Sequence, residues 1–339
     1  MYPVFIYTLL SLGGVAFILG AGLAFAARKF AVEIDPNIEQ VIDILPGANC
    51  GGCGYTGCAV YAEAVVRDGA TPTLCAPGGP QIVQQIAHLL SLDEKPTERR
   101  VAYLHCAGSN YKVKDKYVYD GIKDCRIADI LAGGQKTCDY GCIGFGSCVE
   151  VCKFDALSMS EDGLPVVDSE KCTGCGACVR ICPKNLFDLL HDTTTIYLAC
   201  YSHDKGKDVK QACSVGCIGC GICVKVTEGD AIEMKDNLPS INYDASSNLI
   251  LAHFKCPTNS YIDLAKKRPY MVIDKRKCKS HMKCKEVCPV KDCISVEPGE
   301  MSGIDPNKCI GCGLCLEVCP EKAIRVVGAM GYIKMDMSF

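Results

Sequence analysis

Cys172, Cys175, Cys178 and Cys182 follow the spacing C-x2-C-x2-C-x3-C, with Pro183 next, and Cys309, Cys312, Cys315 and Cys319 repeat it before Pro320. Three thiolates this close together can occupy three corners of a cubane iron–sulfur cluster, while the fourth, set one turn away, reaches a neighbouring cluster. Structural zinc sites pair two CxxC knuckles at a longer separation, so zinc fits this spacing poorly. The chain carries 28 Cys in 339 residues and no Trp. Such density belongs to chains held by disulfides or metal and not by one large apolar core. A net charge of −3, with 22% charged and 49% hydrophobic residues, excludes a globally basic nucleic-acid binder and a disordered chain.

Each run needs an upstream partner, and internal repetition supplies it. Segments 136–152 (KTCDYGCIGFGSCVEVC) and 211–227 (QACSVGCIGCGICVKVT) superpose with a shift of 75, placing Cys138 on Cys213, Cys142 on Cys217, Cys148 on Cys223 and Cys152 on Thr227. Phe145 stands where the second copy has Cys220, so a thiolate from upstream must replace it, and Cys138 is the expected substitute. One cubane is assigned to Cys138, Cys142, Cys148 and Cys182, and its neighbour to Cys152, Cys172, Cys175 and Cys178. In the second copy Ser246, Leu249, Ala252 and Thr227 occupy all four ligand positions of one cubane. Losses confined to one cluster predict a module that keeps a single one, on Cys217, Cys220, Cys223 and Cys256, with Leu249 and Ala252 filling the vacated volume.

A third module begins near residue 269. Cys288, Cys309, Cys312 and Cys315 make a complete set there, but His281 occupies the second Cys position of the other run. Cys278, Cys284 and Cys319 therefore need one more ligand or hold a three-iron cluster. Cys293 is the favoured candidate, because thiolate is the usual cluster ligand, and His281 is the alternative. Nearer the N-terminus, Cys50, Cys53, Cys58 and Cys75 lie in a glycine-rich setting (GANCGGCGYTGC) that lets backbone N–H groups approach the sulfurs. Cys106, Cys125, Cys200 and Cys213 remain. They read as buried packing thiols or as hidden ligands. Cys106 and Cys200 follow apolar stretches (VAYLHC, IYLAC) expected to be buried strands.

The elements that position these ligands begin with residues 4–27, an uncharged run long enough to cross a bilayer as a helix. Arg28 and Lys29 follow it and no Lys or Arg precedes it, which argues for an uncleaved single-pass anchor in the cytoplasmic membrane, with the bulk of the chain in the cytoplasm. Disulfides are rare in that compartment. Asp35-Pro36 then reads as a helix start, with Ile38, Val41, Ile42 and Leu45 on one apolar face. The expected class is α+β: the anchor (1–30), a small [4Fe-4S] domain (31–95), and tandem bacterial-ferredoxin-like modules at 96–191, 192–267 and 268–339, with about six [4Fe-4S] clusters in all. Residues 266–285 hold nine Lys or Arg against the single acid Asp274, a stretch suited to steering an acidic redox carrier, or to contact with anionic lipid. No P-loop, G-x-G-x-x-G between strand and helix, G-x-S-x-G or H-E-x-x-H motif occurs, so no substrate site is expected on this chain alone.

The order of parts, with LPGANCGGCGYTGC, YDGIKDCRIA, KTCDYGCIGFGSC and CTGCGACVRICP, closely resembles the B subunit of Rnf-type ion-translocating ferredoxin:NAD⁺ oxidoreductases over residues 1 to about 190, and the remainder resembles the extended, cluster-rich version. The resemblance implies an electron-relay subunit. It would accept electrons from soluble ferredoxin or flavodoxin and pass them to other membrane subunits and a flavin- and NAD-binding partner, with Na⁺ or H⁺ translocated by the whole complex. Two other possibilities remain at this point: a membrane-anchored polyferredoxin serving a hydrogenase or a redox-regulator reductase, and a zinc-stabilised binding protein.

Overall fold

The computed structural model describes residues 2–29, 35–93, 98–227, 229, 231–245, 249–295, 303–328 and 331–332. The first helix, Tyr2–Lys29, is apolar apart from Arg28 and Lys29 in its last turn, and its segment Leu9–Ala26 buries nothing against the rest of the chain. An apolar helix of this length with no protein cover is a candidate membrane anchor.

Helix Pro36–Ile44 starts where the Asp-Pro pair predicts. The Asp35 carboxylate accepts from the Asn37 N–H (2.9 Å), and Pro36 takes the first turn, where no N–H is needed. Its buried Ile38 and Val41 pack with Leu45, Tyr61, Val65 and Ile86 from helices Cys58–Arg67 and Gly79–Leu90. Three short helices thus enclose a small core with Cys75 at its edge.

Three modules of one plan follow, each closed by an outer antiparallel strand pair that encloses an inner hairpin. In the first, Arg100–Leu104 pairs with Phe187–His191 around Leu157–Met159 and Pro165–Val167. In the second, Ile196–Leu198 pairs with Tyr261–Asp263 around Ile232–Lys235 and Leu238–Ile241. In the third, Tyr270–Ile273 pairs with Ile324–Val327 around Ile294–Ser295 and Gly303–Ile304. The strands after which Cys106 and Cys200 come are buried, as the apolar stretches predict.

Strands this short leave most of the chain in loops, and the loops carry the sulfurs. The third Cys of each run opens a helix of four or five residues whose preceding residue is left-handed: Gly146, Gly176, Gly221 and Gly313 have φ between 68° and 84°. Glycine meets that geometry without a Cβ clash. Met282 adopts it at φ 68°, at the one run in which His281 replaces a Cys.

Candidate iron–sulfur cluster sites

The sulfurs gather into sets around cavities. Cys50, Cys53, Cys58 and Cys75 form the N-terminal set: burial pushes the Cys75 thiol up to about 11, and charge on Cys58, Cys50 and Cys53 acts in the same direction. Cys175 ties this set to the next. Burial raises it, and charge on Cys50, Cys172 and Cys152 raises it further. The backbone bears out the contact, since a Cβ at Gly52 would lie only 2.7 Å from the Cys175 carbonyl oxygen, and Lys153 Nζ donates to the Asn49 carbonyl (2.9 Å).

In the first module Cys142, Cys148 and Cys182 line one cavity of about 390 Å³, and the fourth sulfur there is Cys125. The expectation that Cys138 fills this role therefore fails. The helix Cys125–Ile130 is held over the cavity by its Asp124 cap and by the Cys125 N–H, which donates to Ser147 Oγ (2.9 Å). Phe145, which occupies the position of Cys220, makes a tilted ring contact at 5.1 Å with Tyr119, on the loop that leads into Cys125. That loop is inserted relative to the second module, where only 13 residues separate Cys200 from Cys213 against 32 between Cys106 and Cys138. Only the repeat's missing thiol signalled that an upstream Cys was required, and two candidates satisfied that signal.

In the second module Cys217, Cys223 and Cys256 converge with the exposed Cys220. Leu249 and Ala252 are buried beside them in the apolar core, and Thr227 is buried as well. Ser246 lies outside the described residues.

In the third module a cavity of about 370 Å³ is lined by Cys278, Cys284 and Cys319, and by His281. Cys293 is elsewhere. It is buried near Cys288 and Cys309, whose charge adds to burial in pushing its thiol up to about 12, so it accompanies the set Cys288, Cys309, Cys312 and Cys315. The favoured sequence assignment of Cys293 is thus corrected: the Pro289–Asp292 turn carries it back toward its own Cys288, away from Cys278. His281 Nε2 lies 3.9 Å from the Glu321 carboxylate, which lines the same cavity.

Backbone N–H groups donate to several of these sulfurs: Ala102 to Cys172 (3.4 Å), Leu186 to Cys182 (3.5 Å), Ser260 to Cys256 (3.4 Å) and Ala323 to Cys319 (3.3 Å). Such donors stabilise thiolate charge and tune a bound cluster's potential. Among the described residues no three His, Cys, Asp or Glu side chains close tightly enough to share a single ion. The sulfurs stand around cavities instead, as the separate corners of a cubane require. The residues present therefore fit [4Fe-4S] clusters.

Comparison with known proteins agrees. Family models match residues 45–77 (Fe-S cluster), 140–186 (4Fe-4S dicluster domain) and 303–325 (4Fe-4S binding domain). The chain is 41% identical over 244 residues to the B subunit of the ion-translocating oxidoreductase complex of Methanosarcina acetivorans, an alignment that spans 72% of this chain and 92% of that one. It belongs to the family of Rnf-type B subunits. Two further relatives are the B subunits of the proton-translocating ferredoxin:NAD(+) oxidoreductase complex of Clostridium ljungdahlii (44% over 249 residues; 73% of this chain, 88% of that one) and of the Na(+)-translocating complex of Acetobacterium woodii (39% over 248 residues; 73% and 74%). Those relatives are named as subunits of ion-translocating oxidoreductase complexes.

Two expected results arise from the geometry of the cluster sites. Burial raises the thiols of Cys142, Cys148 and Cys182, with Cys148 reaching about 12. In the iron-free chain each holds a proton at neutral pH, whereas a cluster binds the thiolate, so loading this cavity releases at least three protons. Raised thiol pKa values oppose loading at low pH and cease to oppose it as pH rises toward them. Between about pH 7 and 8 loading should strengthen by about 4 kcal/mol, roughly 1,000-fold. Chelator competition at two pH values measures this, and an affinity independent of pH would contradict it. Secondly, His281→Cys should complete a four-thiolate set with Cys278, Cys284 and Cys319. Replacing neutral imidazole by an anionic ligand should lower that cluster's potential by on the order of 100 mV. Redox titration checks this, and an unmoved potential would remove His281 from the ligand set.

Proposed function

We propose that this Rnf-type protein takes electrons from reduced ferredoxin or flavodoxin at its third module and passes them through [4Fe-4S] clusters to the membrane subunits and a flavin- and NAD-binding partner. In the complete complex that flow would be coupled to Na⁺ or H⁺ translocation. The clusters supply one-electron chemistry. The chain's own residues hold them in sequence, donate backbone N–H bonds to the sulfurs and exclude water with small apolar cores.

One observation carries the proposal: the sulfur sets neighbour one another within the first and third modules, and the first module's sets reach the N-terminal domain. Cys284 and Cys315 interact between the two sets of the third module, Cys148 and Cys178 between those of the first, and Cys175 and Cys50 across to the N-terminal domain. Cys312 and Ile310 of the third module pack on the core of the second. Cys278 and Cys284 of the third module lie within the basic stretch, and the N-terminal set lies in the domain that follows the apolar helix. In that stretch Lys275, Arg276, Lys277, Lys283 and Lys285 are exposed, whereas Arg268 is engaged by Asp263 (2.7 and 2.9 Å) and Lys279 by Glu321 (3.1 Å). The side chains of Lys266 and Lys267 lie outside the described residues.

The test is rapid mixing of the detergent-purified complex with reduced ferredoxin, following cluster bleaching and then reduction of NAD⁺. Reduction of this chain's clusters before the flavin is expected. Flavin reduction that precedes cluster reduction, or a chain that purifies with a hydrogenase and no flavin subunit, would overturn the proposal. The helix Tyr2–Lys29 is read as a single-pass anchor with the modules in the cytoplasm, and protease protection in oriented vesicles tests that orientation.

A further inference from the structure

Cys138, displaced from its expected set, stands with the sulfurs that the sequence leaves over. Cys106, Cys138, Cys200 and Cys213 line one cavity of about 430 Å³ at the seam between the first and second modules. Its size is close to that of the cavities around Cys125, Cys142, Cys148 and Cys182 (about 390 Å³) and around Cys278, Cys284 and Cys319 (about 370 Å³). We propose that these four cysteines bind an additional [4Fe-4S] cluster that joins the two modules.

The set is built twice over. Cys138 and Cys213 occupy the same place in the repeat, each four residues before Cys142 or Cys217, a ligand of its module's own cluster. Cys106 and Cys200 follow equivalent strands, since Leu104 pairs with Phe187 as Leu198 pairs with Tyr261. The equivalent atoms also make equivalent bonds. The Cys142 N–H donates to Cys106 Sγ (3.4 Å), and the Cys217 N–H donates to Cys200 Sγ (3.2 Å). These are bonds of the kind made to Cys172, Cys182, Cys256 and Cys319. Two thiols from each module therefore face one another across a pseudo-twofold seam. Packing thiols have no reason to repeat both their positions and their N–H donors.

The surroundings favour a negatively charged guest. Gly108 lines the seam: a Cβ there would meet Val113 Cγ2 at 2.7 Å and touch Cys106 Sγ (3.5 Å) and Cys213 Sγ (3.7 Å). The Gly108 carbonyl accepts from Lys136 Nζ (3.1 Å), and Lys136 is only 3% exposed, with no carboxylate in an ion pair with it among the described residues. A buried ammonium calls for nearby negative charge, which the Cys142 set, on which the Lys136 charge acts, supplies together with the adjoining seam thiolates.

The two N–H···S bonds place this cluster directly between the Cys142 set and the Cys217 set. As a link, which rests on the relay proposed above, it takes one electron from the neighbour on one side, oxidising that cluster by one, and reduces the neighbour on the other side by one. No proton or co-reactant is needed. Occupancy of the site does not depend on that relay.

The test uses the full chain, produced anaerobically with cluster assembly, analysed for iron and sulfide and by EPR during reductive titration. About seven clusters, or about 28 irons per chain, are expected. Cys200→Ser and Cys213→Ser should each abolish one and the same signal, with a loss of between about one and about four irons, while the N-terminal and third-module signals persist. Unchanged iron and spectra in both variants would overturn the proposal. Iron anomalous density in crystals of the unaltered chain needs no substitution: density at the seam supports the site, and an empty seam beside occupied neighbours refutes it. Failure of ferredoxin to reduce a chain with a filled seam would count against the relay alone.

Discussion

Cys125→Ser is expected to abolish the signal that Cys148→Ser and Cys182→Ser abolish, and Cys138→Ser is expected to leave that signal in place. The reason is positional. Cys125 shares the cavity of Cys142, Cys148 and Cys182, whereas Cys138 faces Cys106, Cys200 and Cys213. A serine at position 125 leaves three thiolates, and three thiolates hold a three-iron cluster or none, so the iron content should fall by between about one and about four per chain. Loss of an outer-shell partner alone commonly costs 10–100-fold in metal affinity or activity, so removal of a direct ligand should slow electron passage to the membrane partners by at least roughly that factor. EPR of each variant, paired with iron analysis, decides the matter. If Cys138→Ser and Cys182→Ser remove the same signal, the placement of the helix Cys125–Ile130 is wrong.

Reversing charge at Lys275, Arg276 and Lys277 to Glu should slow reduction by ferredoxin at low salt by roughly 10- to 1,000-fold, the range over which electrostatic steering acts. These three side chains are exposed beside the cavity of Cys278, Cys284 and Cys319, within a stretch of nine basic residues in a chain whose net charge is −3. Exposed charges are screened beyond about 10 Å at 0.1 M salt, so the difference between variant and parent should shrink as salt rises. Stopped-flow rates across an ionic-strength series measure both effects. Equal rates and equal salt slopes would show that the acidic carrier docks elsewhere. The iron content should not change, since none of the three residues is a ligand.

How much of this was legible in the sequence depended on distance along the chain. A thiol set within a few residues is fixed by local geometry: the CxxC spacing and a left-handed glycine before the next helix aim three sulfurs at one point wherever the segment sits. The sets of Cys172, Cys175 and Cys178 and of Cys309, Cys312 and Cys315, the helix after Asp35 and the two buried strands before Cys106 and Cys200 are of this kind. The repeat extended the reach further, because a deletion confined to one cubane shows up as Thr227, Leu249 and Ala252 in register.

Spacing could not choose among thiols brought together from afar. Cys125 and Cys138 both precede Cys142, and only the path of the inserted loop, pinned by Ser147 Oγ and the Asp124 cap, puts Cys125 over the cavity. Cys293 and His281 both lie near Cys284 in sequence, and the turn after Cys288 leaves Cys293 beside Cys288 and Cys309. Cys106, Cys200 and Cys213 show no ligand spacing in the sequence, because the seam takes two sulfurs from each of two modules. The chemistry, iron–sulfur clusters on a chain with an apolar N-terminal helix, was readable from the residues alone, since thiolate spacing and unbroken apolar length are local properties. Which sulfurs share a cavity, and in what order the cavities follow one another, came from the folded chain, because both depend on strand pairing and module docking between residues far apart in sequence.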